Sequence, residues 1–131
     1  MCNALCNTKG ASVSQASMDR YEQLLARQLA MNGQTLSVLE SHGIGSSAEL
    51  RLDFAYIAPG EAEAESLKAL LYDQTDYDLS ISAVPGSKEW RVTGSTQPTP
   101  ISREILDQWV DWMVTAGLEQ DCLFDGWGAE I

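Results

Sequence analysis

Glu104, Asp107 and Asp111 stand at i, i+3 and i+7 of an apolar-periodic segment, which puts three carboxylates on one ridge of a helix. Such a row can pair with arginine or lysine side chains of another molecule. Two of its members could instead share protons as general acid and base, but that needs burial to raise one of them. The ridge lies opposite the apolar side of its helix, so docking of basic side chains is the chemistry it fits, with a merely solvated face as the bland alternative. His42, the only histidine, sits between Ser41 and Gly43 with no serine or cysteine motif beside it, and reads as an exposed loop residue. Cys122, two residues before Phe124, reads as a small buried apolar side chain; a Cys122–His42 catalytic pair is the competing assignment. Cys2, Cys6 and Cys122 make neither a disulfide framework nor a zinc set, and the sequence has no glycine-rich phosphate loop, so no metal or cofactor is expected.

The end of the chain carries a second candidate. From Glu104 onward there are seven carboxylates and no lysine or arginine. Within that stretch runs Phe124-Asp125-Gly126-Trp127-Gly128. Regular alternation along a final strand would aim Cys122 and Phe124 at the core, and Leu123, Asp125 and Trp127 at the open side of the sheet. A tryptophan left bare between two glycines has the composition of an interface anchor. The glycines could equally kink the strand and fold Trp127 back onto the N-terminal helix. The candidate partner-binding set is therefore Asp121, Asp125, Gly126, Trp127 and Gly128, together with Glu104, Asp107 and Asp111.

These residues need elements to hold them. Residues 1–17 are rich in Asn, Ser, Gly and Ala and are expected to be a disordered leader, with one domain over 18–131. Met18, Tyr21, Leu25 and Leu29 predict a helix from Ser17 to Met31, stopped by Asn32-Gly33. Residues 34–46 fit a short helix or a strand. Glu49 to Ile57 alternates as a half-buried strand. Glu61 to Tyr72 predicts a helix with Leu67, Leu70 and Leu71 inward. Tyr77, Leu79 and Ile81 mark a strand, Trp90 and Val92 another, and Pro85-Gly86 between them suits a type II turn. Ile101 to Ala116 predicts the clearest amphipathic helix, with Gly117 at its C-cap, and Cys122 to Trp127 the last strand. The order strand–helix–strand–strand–helix–strand predicts a ferredoxin-like βαββαβ α+β sandwich: a four-stranded antiparallel sheet, two helices on one face, and an additional N-terminal helix.

A chain of 131 residues supports one core. With 8 basic and 19 acidic residues, its formal net charge of −11 repels phosphate backbones, which argues against direct nucleic-acid binding; it would steer a basic protein partner, or serve solubility alone. The aromatics Phe54, Tyr77 and Trp90 fall at inward positions, away from where some folds of this type read RNA. No apolar run reaches the roughly 20 residues of a membrane span, and the leader has no secretory pattern, so a cytoplasmic protein is expected.

An acidic βαββαβ domain closing on Phe124-Asp125-Gly126-Trp127-Gly128, with Asp121 at the strand start and Tyr77-Asp78 opening the second strand, resembles the ribonuclease E inhibitor family, the regulator of ribonuclease activity B proteins. The resemblance covers roughly Glu61 to Ala129. It implies a bacterial, cytoplasmic, non-enzymatic regulator that binds an endoribonuclease by protein–protein contact and lowers its activity. Two other readings stay open: a small-molecule-binding or catalytic domain with a pocket near His42 and Cys122, and a homodimer formed through the open sheet face.

Overall fold

The computed structural model describes residues 8–45 and 48–129, with side chains from Asp19 onward. The element order is α1 (Thr8–Ser41), β1 (Glu49–Leu50), β2 (Leu52–Ala58), α2 (Glu61–Gln74), β3 (Asp78–Ala83), β4 (Trp90–Ser95), β5 (Thr99–Pro100), α3 (Arg103–Glu119) and β6 (Leu123–Ala129). The protein is α+β, with a four-stranded antiparallel sheet in the order β3-β4-β2-β6 and a small two-stranded sheet of β1 and β5.

Alternation decides the sheet. Leu52, Phe54, Tyr56 and Ala58 of β2 are buried while Asp53 is exposed, and across β4 Val92 is buried while Arg91 is exposed. The helices cover this inward face. Leu67 and Leu71 of α2 and Leu106, Val110, Met113 and Val114 of α3 are all fully buried. Tyr56 locks sheet to helix: its hydroxyl donates to the Met113 carbonyl at 2.7 Å, and its ring passes close over Gly117. Between β3 and β4, Ser87 N–H bonds the Val84 carbonyl at 3.2 Å and Gly86 has φ +74°, as a type II turn requires.

Three expectations are corrected. Asn32-Gly33 does not stop α1, which runs 34 residues to Ser41. Asn32 is fully buried, with both ends of its amide hydrogen-bonded, so tertiary partners replace the local turn chemistry that the dipeptide suggests. The leader expected to be disordered is helical from Thr8 on; its first seven residues, with Cys2 and Cys6, lie outside those described. Gly117 is not a C-cap. It is buried inside α3, and the helix closes three residues later: Cys122 N–H bonds Gly117 O (2.8 Å), Asp121 N–H bonds Leu118 O (3.1 Å), and Asp121 takes φ +60°. This is a Schellman close with Asp121 in the left-handed position that glycine usually fills.

α1 lies on the helix side, against α3 and the outer strand β6. Gln28 Nε2 donates to the Phe124 carbonyl at 3.3 Å, reaching the strand that ends the sheet. Among the described residues, no element covers the opposite face of the sheet, where Asp53, Asp78, Ser80, Ser82 and Arg91 are exposed.

Candidate functional site

β6 does not alternate regularly. Phe124 pairs with Tyr56 and Gly126 with Ala55, consecutive residues on β2, so Asp125 is left without a partner. Gly126 takes φ +132°, which strongly favours glycine. This β-bulge reverses the side on which everything after it points. Trp127 comes to lie opposite Phe54 and faces the helices, contrary to the open-face position that simple alternation predicts. Its ring packs edge-on to Trp109 at 6.2 Å, and its Nε1–H donates to Asn32 Oδ1 at 2.7 Å. Trp109 and Trp127 both touch the main core and a second cluster of Leu39, Leu52, Ile101 and Leu106, so the two cores meet at this pair. Trp127 is half-buried, a strut rather than a bare anchor.

The acidic ridge of α3 is also occupied from within. Asp107 accepts Arg103 Nε at 2.9 and 3.0 Å and Asn32 Nδ2 at 2.9 Å, while Arg103 also donates to the Leu29 carbonyl. Asp111 accepts the Tyr21 hydroxyl at 2.6 Å, and that bond holds the Tyr21 phenol above its ordinary pKa. Two of the three ridge carboxylates thus fasten α1 to α3, and Glu104 alone stands exposed in the first turn. The residues that complete this seam, Tyr21, Gln28, Asn32 and Arg103, were not in the sequence-based set. Leu24, Gln28 and Asn32 at steps of four were the available signal: polar residues continuing a buried stripe.

Asp125 does reach the open face, where its carboxylate lies 3.9 Å from Arg91. Beside it Asp53 accepts the Ser95 hydroxyl at 2.6 Å. Between them the cross-strand pair Ala55 and Gly126 has almost no side chain, which leaves a groove of about 340 Å³ bordered by Met31, Asp53, Asp125 and Trp127. A neighbouring depression of about 410 Å³ runs over Asp53, Asp78, Ser80, Thr93 and Ser95, with Asp78 tied to Arg51 at 2.8 Å. Gly128 opens onto free space. Asp121 lies apart from all of these, at the far end of α3.

Cys122 and His42 are not brought together. The Cys122 thiol is buried just past the end of α3, donates to the Glu63 and Gln120 carbonyls, and is pushed up to about 11 by desolvation with help from Glu63 and Asp121. His42 is exposed at the end of α1, whose Leu39 packs against Ile101 and Leu106 at the start of α3. The length of α3, about 25 Å, separates them. No group of three or more His, Cys, Asp or Glu residues suited to a metal ion occurs among the described residues, and no described helix is long and apolar enough to cross a membrane. Comparison with protein-family models finds no match, and comparison with curated proteins finds none either.

Proposed function

We propose that this protein is a non-enzymatic regulator of ferredoxin-like fold, which binds a basic protein partner through the open face of its sheet around the β6 bulge. The strand order β3-β4-β2-β6, with helices between β2 and β3 and between β4 and β6, supports the fold reading. The observation that carries the binding reading is the bulge. It takes Asp125 out of the pairing on the face to which Asp53 also points, and bulges recur next to functional sites. Asp125, Gly126, Gly128 and Asp53 form the contact surface in this reading, with Glu104 outlying. Trp127, Asp107 and Asp111 hold α1 and β6 in place behind it, and Asp121 closes α3. The net charge of −11 steers a basic partner toward this face.

The resemblance carried by Phe124 to Gly128 points to an endoribonuclease of the ribonuclease E type as that partner, in the cytoplasm of a bacterium. The test is inhibition of a purified enzyme of that type cleaving a fluorescent RNA. Wild-type protein slows cleavage, and Asp53→Lys with Asp125→Lys restores it. Full cleavage in the presence of wild-type protein, with no binding in solution, would sink the reading. A homodimer through the same face is the second reading. It is favoured by the apolar cross-strand pair of Ile57 with Leu123, the latter 43% exposed, and sedimentation over a concentration range decides it.

A further inference from the structure

The two outer strands of the sheet are treated differently. β6 is guarded: α1 lies against it, Gln28 Nε2 donates to the Phe124 carbonyl, and the bulge at Asp125 breaks its line. β3 ends the sheet on the other side. It runs from Asp78 to Ala83 in unbroken register with β4, without the lysine, proline or bulge that ordinarily keeps an edge from pairing. The phase of its hydrogen bonds tells which groups point outward. Val84 N–H bonds the Glu89 carbonyl at 2.9 Å, so in the same register Ser82 with Arg91 and Ser80 with Thr93 are the hydrogen-bonded pairs. The N–H and C=O groups of Leu79, Ile81 and Ala83 therefore face away from β4.

We propose that a second copy of this chain pairs along β3, antiparallel about a two-fold axis at Ile81. Ile81 then exchanges its backbone bonds with its own equivalent, and Leu79 with Ala83 of the copy, so every outward group is used. On the open face Ser80 comes opposite Ser82, small against small. Asp78, the only charge on the strand, comes opposite Val84 rather than its own equivalent, and is already tied to Arg51 at 2.8 Å. A chain of net charge −11 thus meets its copy along a line where like charges do not face each other. The flank of α2 adds to the joint. Glu63 and Ser66 line a cleft against Glu119 and Asp121 at the end of α3. Tyr72, nine residues after Glu63, lies half a turn round the helix, on the β3 side. At 78% exposure it is the barest large apolar side chain among the described residues. The joint leaves the face carrying Asp53 and Asp125 uncovered, so it stands independently of the partner reading.

Sedimentation of the full-length protein gives a monomer–dimer equilibrium that tightens as salt rises from about 0.05 to about 0.5 M, because screening relieves the repulsion of two acidic bodies. A basic partner on the open face responds to salt in the opposite sense. Amide hydrogen exchange locates the joint: the Leu79, Ile81 and Ala83 amides slow as protein concentration rises, whereas those of Ser80 and Ser82, already bonded to β4, do not change. Ser80→Glu with Ser82→Glu sets like charges opposite one another and raises the dimer Kd about ten-fold. Ser80→Lys with Ser82→Glu makes the same contacts opposite in sign and restores the dimer. A monomer at every concentration up to about 1 mM, a dimer whose Leu79, Ile81 and Ala83 amides stay fast, or no rescue by the lysine–glutamate variant would overturn the proposal. Slowing of those amides by another protein but not by concentration would also reject it, in favour of a foreign strand on the same edge.

Discussion

A methyl group on Gly117 would stand 2.6 Å from Cε2 of Tyr56 and 3.0 Å from the Cys122 carbonyl, with the Tyr56 ring held in place by its hydroxyl bond to Met113. Helix propensity alone favours alanine over glycine by about 1 kcal/mol. Overpacking opposes it, and wins because neither neighbour can retreat. Gly117→Ala therefore lowers stability by about 1–3 kcal/mol in urea denaturation; a gain would show that the ring can shift. The sequence places a glycine near the end of an amphipathic segment, and the local rule reads that as a cap. What it does not carry is that Tyr56, sixty-one positions earlier, needs the space. The same limit acts at Trp127. Its glycine neighbours signal a kink, but the facing of the indole depends on a register shift against β2 that only the paired strands define.

At the scale of elements, α1 is joined to the body by a polar seam as much as by its apolar stripe. Trp127 donates to Asn32, Asn32 to Asp107, and Arg103 bridges Asp107 to the Leu29 carbonyl. Asn32→Leu keeps the branched shape, at a somewhat larger volume, and removes both links at once. It leaves the indole N–H without its acceptor and takes one donor from Asp107, which keeps both Arg103 bonds, at a cost of about 1–3 kcal/mol. Denaturation followed by far-ultraviolet circular dichroism measures it, and equal or greater stability in the variant would mean that packing, not polarity, holds α1. The hairpin of β3 and β4, both helices over the sheet and the alternation of β2 were legible because each rests on local periodicity or turn chemistry. α1 beyond Met31 was not, because Asn32 and Gly33 belong to a tertiary network. The acidic ridge of α3 was legible as a ridge. Its use was not, since the sequence places Tyr21 and Asn32 no nearer to it than any other residues of α1.

The whole molecule responds to alkali through groups that folding keeps neutral. Burial raises the Tyr56 and Tyr77 phenols above 10.0, the Asp111 bond does the same for Tyr21, and burial raises the Cys122 thiol from 9.0 to about 11. Each folded value lies above the unfolded one, so this stability is complete below about pH 9, and the Cys122 share of it is lost as pH rises through about 11. Urea midpoints measured from pH 7 to 11 fall across that window, and Cys122 stays unreactive to a thiol reagent at pH 8 until the protein unfolds. A constant midpoint, or fast labelling of Cys122 itself in the folded protein, would contradict the burial of these groups.

The chain is also one residue longer than its architecture demands. Taking Asp125 out would set Phe124 and Gly126 side by side, opposite Tyr56 and Ala55, which are already neighbours. Every later side chain would keep its present side, Trp127 toward Asn32 and Gly128 toward open space. A shortened chain would then fold to the same shape and lack one carboxylate, so a deletion, ordinarily the coarsest of edits in a strand, becomes the gentlest way to separate what this protein is from what it does.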